Sequence, residues 1–223
     1  MVRAVVFDLW HTLAFWPEDE SNRFRRRWAE WIGVESEKLD EVWYARGEYE
    51  RRETGPIARA LAAAHQALGS DAGVDEVVAW RIEMARRALV PVPGAVETLH
   101  ELRARGLRLG LISNCTEEVA LVWGESAFAG LFDAAAFSAT AGCMKPDRRI
   151  YEGVLTQLDV PAAATLFVGD GANDELEGAR RVGMTPVLVS HDGAVPLWEG
   201  LEDWDGARIM SILEILDLVA RAP

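Results

Sequence analysis

The chain has 223 residues, half of them apolar, with 23 basic side chains against 36 acidic ones and a formal charge of −13. That length can bury a large single core, or a core carrying a smaller insert. The acidic balance argues against a protein that tracks nucleic-acid phosphates, and no apolar run approaches the ~18 residues that span a bilayer.

In chain order, residues 2–9 form a β-branched run containing Asp8 near its end, the expected first strand. Residues 15–90 lack such runs, carry helix formers such as the stretch 60–64, and end at Pro91-Val92-Pro93-Gly94, so an all-α insert is expected there. The core is then residues 1–14 and 91–223. More than half of the basic side chains fall in the insert, which reads as an ion-paired solvated face, the alternative being that a few of these arginines face an anionic substrate. Trp10, Trp16, Trp28, Trp31 and Trp43 cluster at its beginning and are expected in a core, the alternative being that one or two line a pocket. Beyond it, short apolar runs at 107–112, 165–168 and 185–189 each end in polar or glycine residues, as strands covered on both faces do. Helical stretches at 94–105, 117–129, 148–158 and 173–182 alternate with them, and 207–220 has helical periodicity. The expectation is an α/β fold, a Rossmann-like doubly wound parallel sheet with an inserted helical unit.

Two cysteines, Cys115 and Cys143, make neither a disulfide framework nor a zinc site. With no signal-peptide pattern at the N-terminus, a cytoplasmic protein is expected, as a monomer or homodimer, with no nucleic-acid or membrane partner.

Ligands of open α/β sheets bind beyond the carboxyl ends of strands. Asp8, Ser113-Asn114 and Gly169-Asp170 stand at three such ends. A carboxylate closing an apolar strand is costly to bury unless it is paired or binds a metal, so Asp8 and Asp170 together suggest Mg²⁺. Lys145 is one of only two lysines, with Lys38, in a chain otherwise supplied with arginine. A compact ammonium suits a small site needing a point charge.

Phe7-Asp8-Leu9-Trp10-His11-Thr12-Leu13, Leu111-Ile112-Ser113-Asn114, Lys145-Pro146-Asp147 and Val168-Gly169-Asp170 with Asn173-Asp174-Glu175 resemble, in order and placement, the four motifs of the haloacid dehalogenase (HAD) superfamily. The insert is similar to that family's helical C1-type cap. The resemblance implies a hydrolase, by preference a phosphatase, acting on a small phosphorylated metabolite through an aspartyl-phosphate. Asp8 would be the nucleophile, and Asp8, the carbonyl of Trp10, Asp170 and Asp174 (or Glu175, in the alternative register) would hold Mg²⁺. Thr12, Ser113, Asn114 and Lys145 would bind the substrate, with Ser113, Lys145 and Asp170 catalytic beside Asp8.

One position departs from the pattern. Phosphatases of the family carry a second Asp two residues after the nucleophile as general acid and base, and here that residue is Trp10, whose indole N–H has negligible acidity. His11 and the cap acids Glu18, Asp19 and Glu20 are candidate replacements. A 2-haloacid dehalogenase, whose family has Tyr at this place and needs no metal, and a hydrolysis-impaired binding or regulatory protein are the alternatives.

Overall fold

The computed structural model describes residues 1–191, 198 and 200–221. Among them, six parallel strands form one sheet in the order β3-β2-β1-β4-β5-β6. They are β1 (Ala4–Phe7), β2 (Arg108–Ser113), β3 (Ala134–Phe137), β4 (Thr165–Gly169), β5 (Thr185–Val189) and β6 (Ala207–Ile209). Every residue of β1 and β4 is buried, as expected for strands sandwiched between helices. Alternation along β1 sends Val5 and Phe7 into one apolar cluster, with Leu99 and Leu102, and Ala4 and Val6 into the other, with Tyr151 and Val154. Gly110 on β2 admits this packing, because a Cβ there would lie 2.8 Å from Val154 Cγ1 and 3.0 Å from Val6 Cγ2.

Between β1 and β2 the chain forms α1 (Glu18–Ile32), α2 (Ser36–Trp43), α3 (Glu48–Glu53), α4 (Ile57–Ala67), α5 (Asp75–Ala88) and α6 (Ala95–Ala104). Helices α1, α2, α4 and α5 enclose a third apolar cluster around the fully buried Trp28. The Trp28 indole donates to His65 Nε2 at 2.8 Å, while His65 Nδ1 meets the Ala72 carbonyl at 2.9 Å, so this histidine is structural. The two ends of the interval run side by side, through an antiparallel bridge between Ala14 and Pro91 and a bond from Val92 N to Leu13 O at 2.8 Å. After β2 come α7 (Glu117–Val122), α8 (Ser138–Ala141), α9 (Arg148–Leu158), α10 (Glu175–Arg181) and α11 (Ile215–Arg221). No helix of the described residues is long and apolar enough to cross a membrane.

Two expectations need correction. The interval 207–220 is not one helix: its first residues pair with β5 as edge strand β6, and the helix begins at Ile215. The apolar Ile209, read as part of a helical stripe, instead closes one face of the sheet. Strand β3, Ala-Ala-Ala-Phe, has no β-branched residue and was not expected; its place beside β2 makes it a strand.

Candidate active site

The strand order reverses between β1 and β4, since β2 and β3 build outward on one side of β1 and β4, β5 and β6 on the other. Phe7 pairs with Leu111 and Val168, so the residues leaving all three strands emerge at one edge. Asp8 lies there, with its N–H donating to Val168 O at 2.8 Å. The following turn is closed by bonds from Leu13 N and Ala14 N to Leu9 O, at 2.8 and 3.0 Å, with His11 left-handed at φ 57°. That turn brings the Thr12 hydroxyl back to donate to Asp8 Oδ2 at 3.2 Å. Thr12 is fully buried, and this bond gives its hydroxyl a part in orienting Asp8.

Lys145 is 2% exposed, and its ammonium contacts Asp8 Oδ1 and, at 2.5 Å, Glu175 Oε2. Its backbone is clamped by one side chain: Asn114 Oδ1 accepts from Lys145 N at 2.8 Å and Asn114 Nδ2 donates to Lys145 O at 3.1 Å. The Asn114 amide is therefore spent on positioning Lys145. Ser113 is fully buried at the end of β2, with its hydroxyl 3.5 Å from Asn114 O.

Glu175, not Asp174, joins the acidic cluster. Gly171, Asn173 and Asp174 all take positive φ (92°, 51° and 55°), and this turn leaves Asp174 exposed while Glu175 opens α10 fully buried. Glu175 Oε1 accepts from Gly171 N at 2.9 Å. Gly169 makes room for it: a Cβ there would stand 2.1 Å from Glu175 Oε1. Asp8, Asp170 and Glu175 each bring a carboxylate oxygen within 4.8 Å of the others. Trp198 Nε1 donates to Asp170 Oδ2 at 2.8 Å.

Burial pushes the Asp8 carboxyl above the usual range, opposed by Lys145 and reinforced by Asp170. Burial and then Asp8 push Glu175 up as well. Burial would lower Lys145, but Asp8 and Glu175 outweigh it and hold the ammonium charged. Three carboxylates around one ammonium leave a net negative, all-oxygen donor set shaped by Gly169, which fits a hard divalent cation such as Mg²⁺.

Above the cluster lies a cavity of about 550 Å³, walled by Trp10, Trp16, Phe24 and Trp43 and opening on Asp8, Lys145 and Asp170. Trp10 is half-buried, edge-to-face with Trp16 at 5.0 Å. Three of the five early tryptophans thus reach the cavity, whereas Trp28 is core and Trp31 is exposed. Arg25 is held by Asp40 and Ser21, and Arg81 is buried against Glu118 and Thr116. Helix α3 is joined to the loop after β4 by Asn173 Nδ2 donating to Tyr49 Oη at 3.2 Å. Its last residue, Glu53, is buried on the cavity wall with Oε2 unpartnered. Of the acids suggested by sequence, Glu18 lines the cavity but is exposed, as is Asp19, and Glu20 pairs with Arg23. Cys115 also lines it; burial pushes its thiol well above the usual range, so it stays protonated.

Residues 2–183 match the family described as haloacid dehalogenase-like hydrolase. A phosphatase of Mycobacterium tuberculosis is 33% identical over 75% of this chain and 72% of its own length. The human haloacid dehalogenase-like hydrolase domain-containing protein 3 is 38% identical over 43% of this chain. The match spans 38% of the length of that human protein and 46% of a glyceraldehyde 3-phosphate phosphatase of Methanothermobacter thermautotrophicus, less than half of each. The crystal structure of a 2-haloacid dehalogenase from Pseudomonas syringae pv. Tomato superposes with a TM-score of 0.72 and 25% identity, over 99% of each chain.

Proposed function

The chain belongs to the haloacid dehalogenase-like hydrolases, and on that premise we propose that it is a Mg²⁺-dependent phosphohydrolase of small phosphorylated metabolites that works through an aspartyl-phosphate on Asp8. The observation that carries the reading is the buried Asp8–Asp170–Glu175 cluster, with Lys145 as its one cationic partner among the described residues. Phosphoryl transfer asks a protein for positioning and charge stabilisation. Lys145 and Thr12 fix the two oxygens of Asp8, so that the carboxylate meets phosphorus in one orientation. The Asp8–phosphorus bond forms as the bond to the leaving oxygen breaks; water then attacks phosphorus and Asp8 departs. Ser113 and the backbone after it bind phosphoryl oxygens. Asp8, the Trp10 carbonyl, Asp170 and Glu175 would hold Mg²⁺, which would supply screening between nucleophile and phosphoryl group. The helices of residues 15–90 serve as the cap that excludes water and selects the leaving group through the aromatic wall.

A haloacid dehalogenase reading draws support from the aromatic Trp10 and the Pseudomonas relative in fold. It must seat a substrate carboxylate beside Asp8, Asp170 and Glu175, whose one cationic contact among the described residues is Lys145, and that disfavours it. The test is turnover of p-nitrophenyl phosphate and acetyl phosphate with Mg²⁺ or with EDTA, beside Asp8→Asn. Turnover requiring both Mg²⁺ and Asp8 is expected. Metal-independent chloride release from 2-chloropropionate, with no phosphate release, would replace this reading by the other.

A further inference from the structure

With Trp10 where a proton-transferring Asp would stand, the proposed reaction lacks a donor for the leaving oxygen, and the cavity holds one acid suited to that task. Glu53 is 7% exposed and lines the same cavity as Asp8, reaching it from the helical layer while Asp8 reaches it from the sheet. Among the described residues its carboxyl makes no hydrogen bond: Oε2 has no partner, and Oε1 has only a long ion pair with Arg52 Nε at 3.8 Å, beyond hydrogen-bond range. Arg52 is engaged elsewhere. Its Nη1 donates to Trp43 O at 2.7 Å, and its guanidinium lies 5.1–5.4 Å from the ring centres of Trp43, Tyr44 and Tyr49. The groups facing Glu53 are Arg52 and Tyr49 on α3, Arg81 on α5, Glu118 on α7, and the Cys115 thiol. Arg81 is already paired with Glu118. Burial, opposed by Arg52 and reinforced by Glu118, lifts the Glu53 carboxyl to about 7. A buried carboxyl without a hydrogen-bond partner is costly unless it is neutral or finds one in a bound molecule.

We propose that Glu53 is the general acid and base of the phosphohydrolase reaction, in place of the residue at Trp10. The inference rests on the phosphohydrolase reading above. In the first step Asp8 bonds to phosphorus, the phosphorus–oxygen bond to the leaving group breaks, and the Glu53 proton goes to that oxygen, releasing an alcohol and leaving Glu53 ionised. In the second step water bonds to phosphorus, its proton passes to Glu53, and the Asp8–phosphorus bond breaks, giving inorganic phosphate and both residues in their starting forms. His11 and Glu18 share the cavity, but Glu18 is exposed and His11 half-buried.

The experiment compares kcat/KM for p-nitrophenyl phosphate, whose leaving group departs unaided, with that for glycerol phosphate, whose alkoxide needs a proton. Glu53→Gln should lose about 100- to 10,000-fold on glycerol phosphate and less than about 5-fold on p-nitrophenyl phosphate. Glu53→Asp should recover part of the loss. In the unsubstituted protein, the ratio of glycerol to p-nitrophenyl activity should fall as pH rises through 7, a trend that needs no variant and that Glu53→Gln should abolish. Without substrate or metal, the melting temperature of Glu53→Gln should vary less between pH 5 and pH 8 than that of the unsubstituted protein. Equal losses on both substrates, no loss, or a selective loss in His11→Asn or Glu18→Gln instead would overturn the assignment. If the unsubstituted protein turns over neither phosphate, the phosphohydrolase reading falls first and this one with it.

Discussion

Lys145→Met isolates the electrostatic logic of the site, because methionine keeps the volume of the side chain and removes only its charge. The substitution leaves Asp8, Asp170 and Glu175 with carboxylate oxygens no more than 4.8 Å apart and no ammonium between them. At an effective dielectric of about 20, each ionised pair at that distance repels by about 3 kcal/mol. Keeping all three charged would cost about 10 kcal/mol, so the folded cluster takes up a proton instead. The net loss should then settle near the ~3–5 kcal/mol typical of breaking a buried ion pair from one side. The sign with pH follows. These carboxyls have folded-state pKa values raised above those of the unfolded chain, so folding binds protons and stability falls as pH rises. Urea unfolding in EDTA should show the full deficit near pH 8 and a smaller one near pH 5, and Mg²⁺ near pH 8 should recover part of it. A deficit equal at both pH values and indifferent to Mg²⁺ would mean that Lys145 stabilises through packing, and the charge argument would fail.

Three further outcomes are expected. Saturating Mg²⁺ should raise the melting temperature by about 5–10 °C, from about 2–3 kcal/mol of binding linkage; Asp170→Asn should abolish the rise and Asp174→Asn should keep it, and the reverse result in a melting assay would restore Asp174 to the cluster. Because Glu53 is lifted from 4.5 to about 7, its burial removes on the order of 3 kcal/mol of stability as pH rises from about 4.5 to about 7; Glu53→Gln should flatten that slope and be the more stable protein near pH 8, as urea titrations would report. Gly169→Ala would put a methyl 2.1 Å from Glu175 Oε1, so Mg²⁺ affinity should fall about 10- to 100-fold while far-UV circular dichroism stays unchanged; unaltered affinity would show that the Glu175 carboxylate does not help to hold the metal.

The sheet was legible wherever its strands are central, because β1, β2, β4 and β5 are nearly continuous apolar runs that no helix period explains. The two edge strands were not. Ala134–Phe137 carries no strand propensity of its own, and Ala207–Ile209 is too short to show a period before the helix that follows. In the site, Asp8, Lys145 and Asp170 could be named because charged residues at the ends of apolar runs need a reason to be there. The choice between Asp174 and Glu175 could not be made by counting, since it depends on consecutive left-handed residues whose φ no spacing reveals. Thr12 sat within a recognisable motif, yet only the turn shows it donating to Asp8. Glu53 was hidden for a different reason. It ends the run Glu-Tyr-Glu-Arg-Arg-Glu, which reads as a solvated helical face, and nothing local marks the one acid of that run turned inward.

The seam between the helical layer and the sheet layer has a thermodynamic consequence of its own. It is stitched by the buried Arg81–Glu118–Thr116 group, by Ile57 N on Glu117 at 3.0 Å, by Arg86 on Glu125 at 2.8 Å and by Tyr49 with Asn173, while the helices keep much of their hydrocarbon in a separate cluster. Parting the layers would hydrate these guanidinium, carboxylate and amide groups together with the apolar contacts of Ile82 and Ala85. Apolar exposure raises heat capacity and polar exposure lowers it, so the two contributions offset each other here, whereas global unfolding is dominated by the apolar part. Opening of the seam should therefore follow a nearly straight van't Hoff line, while unfolding of the whole chain follows a strongly curved one.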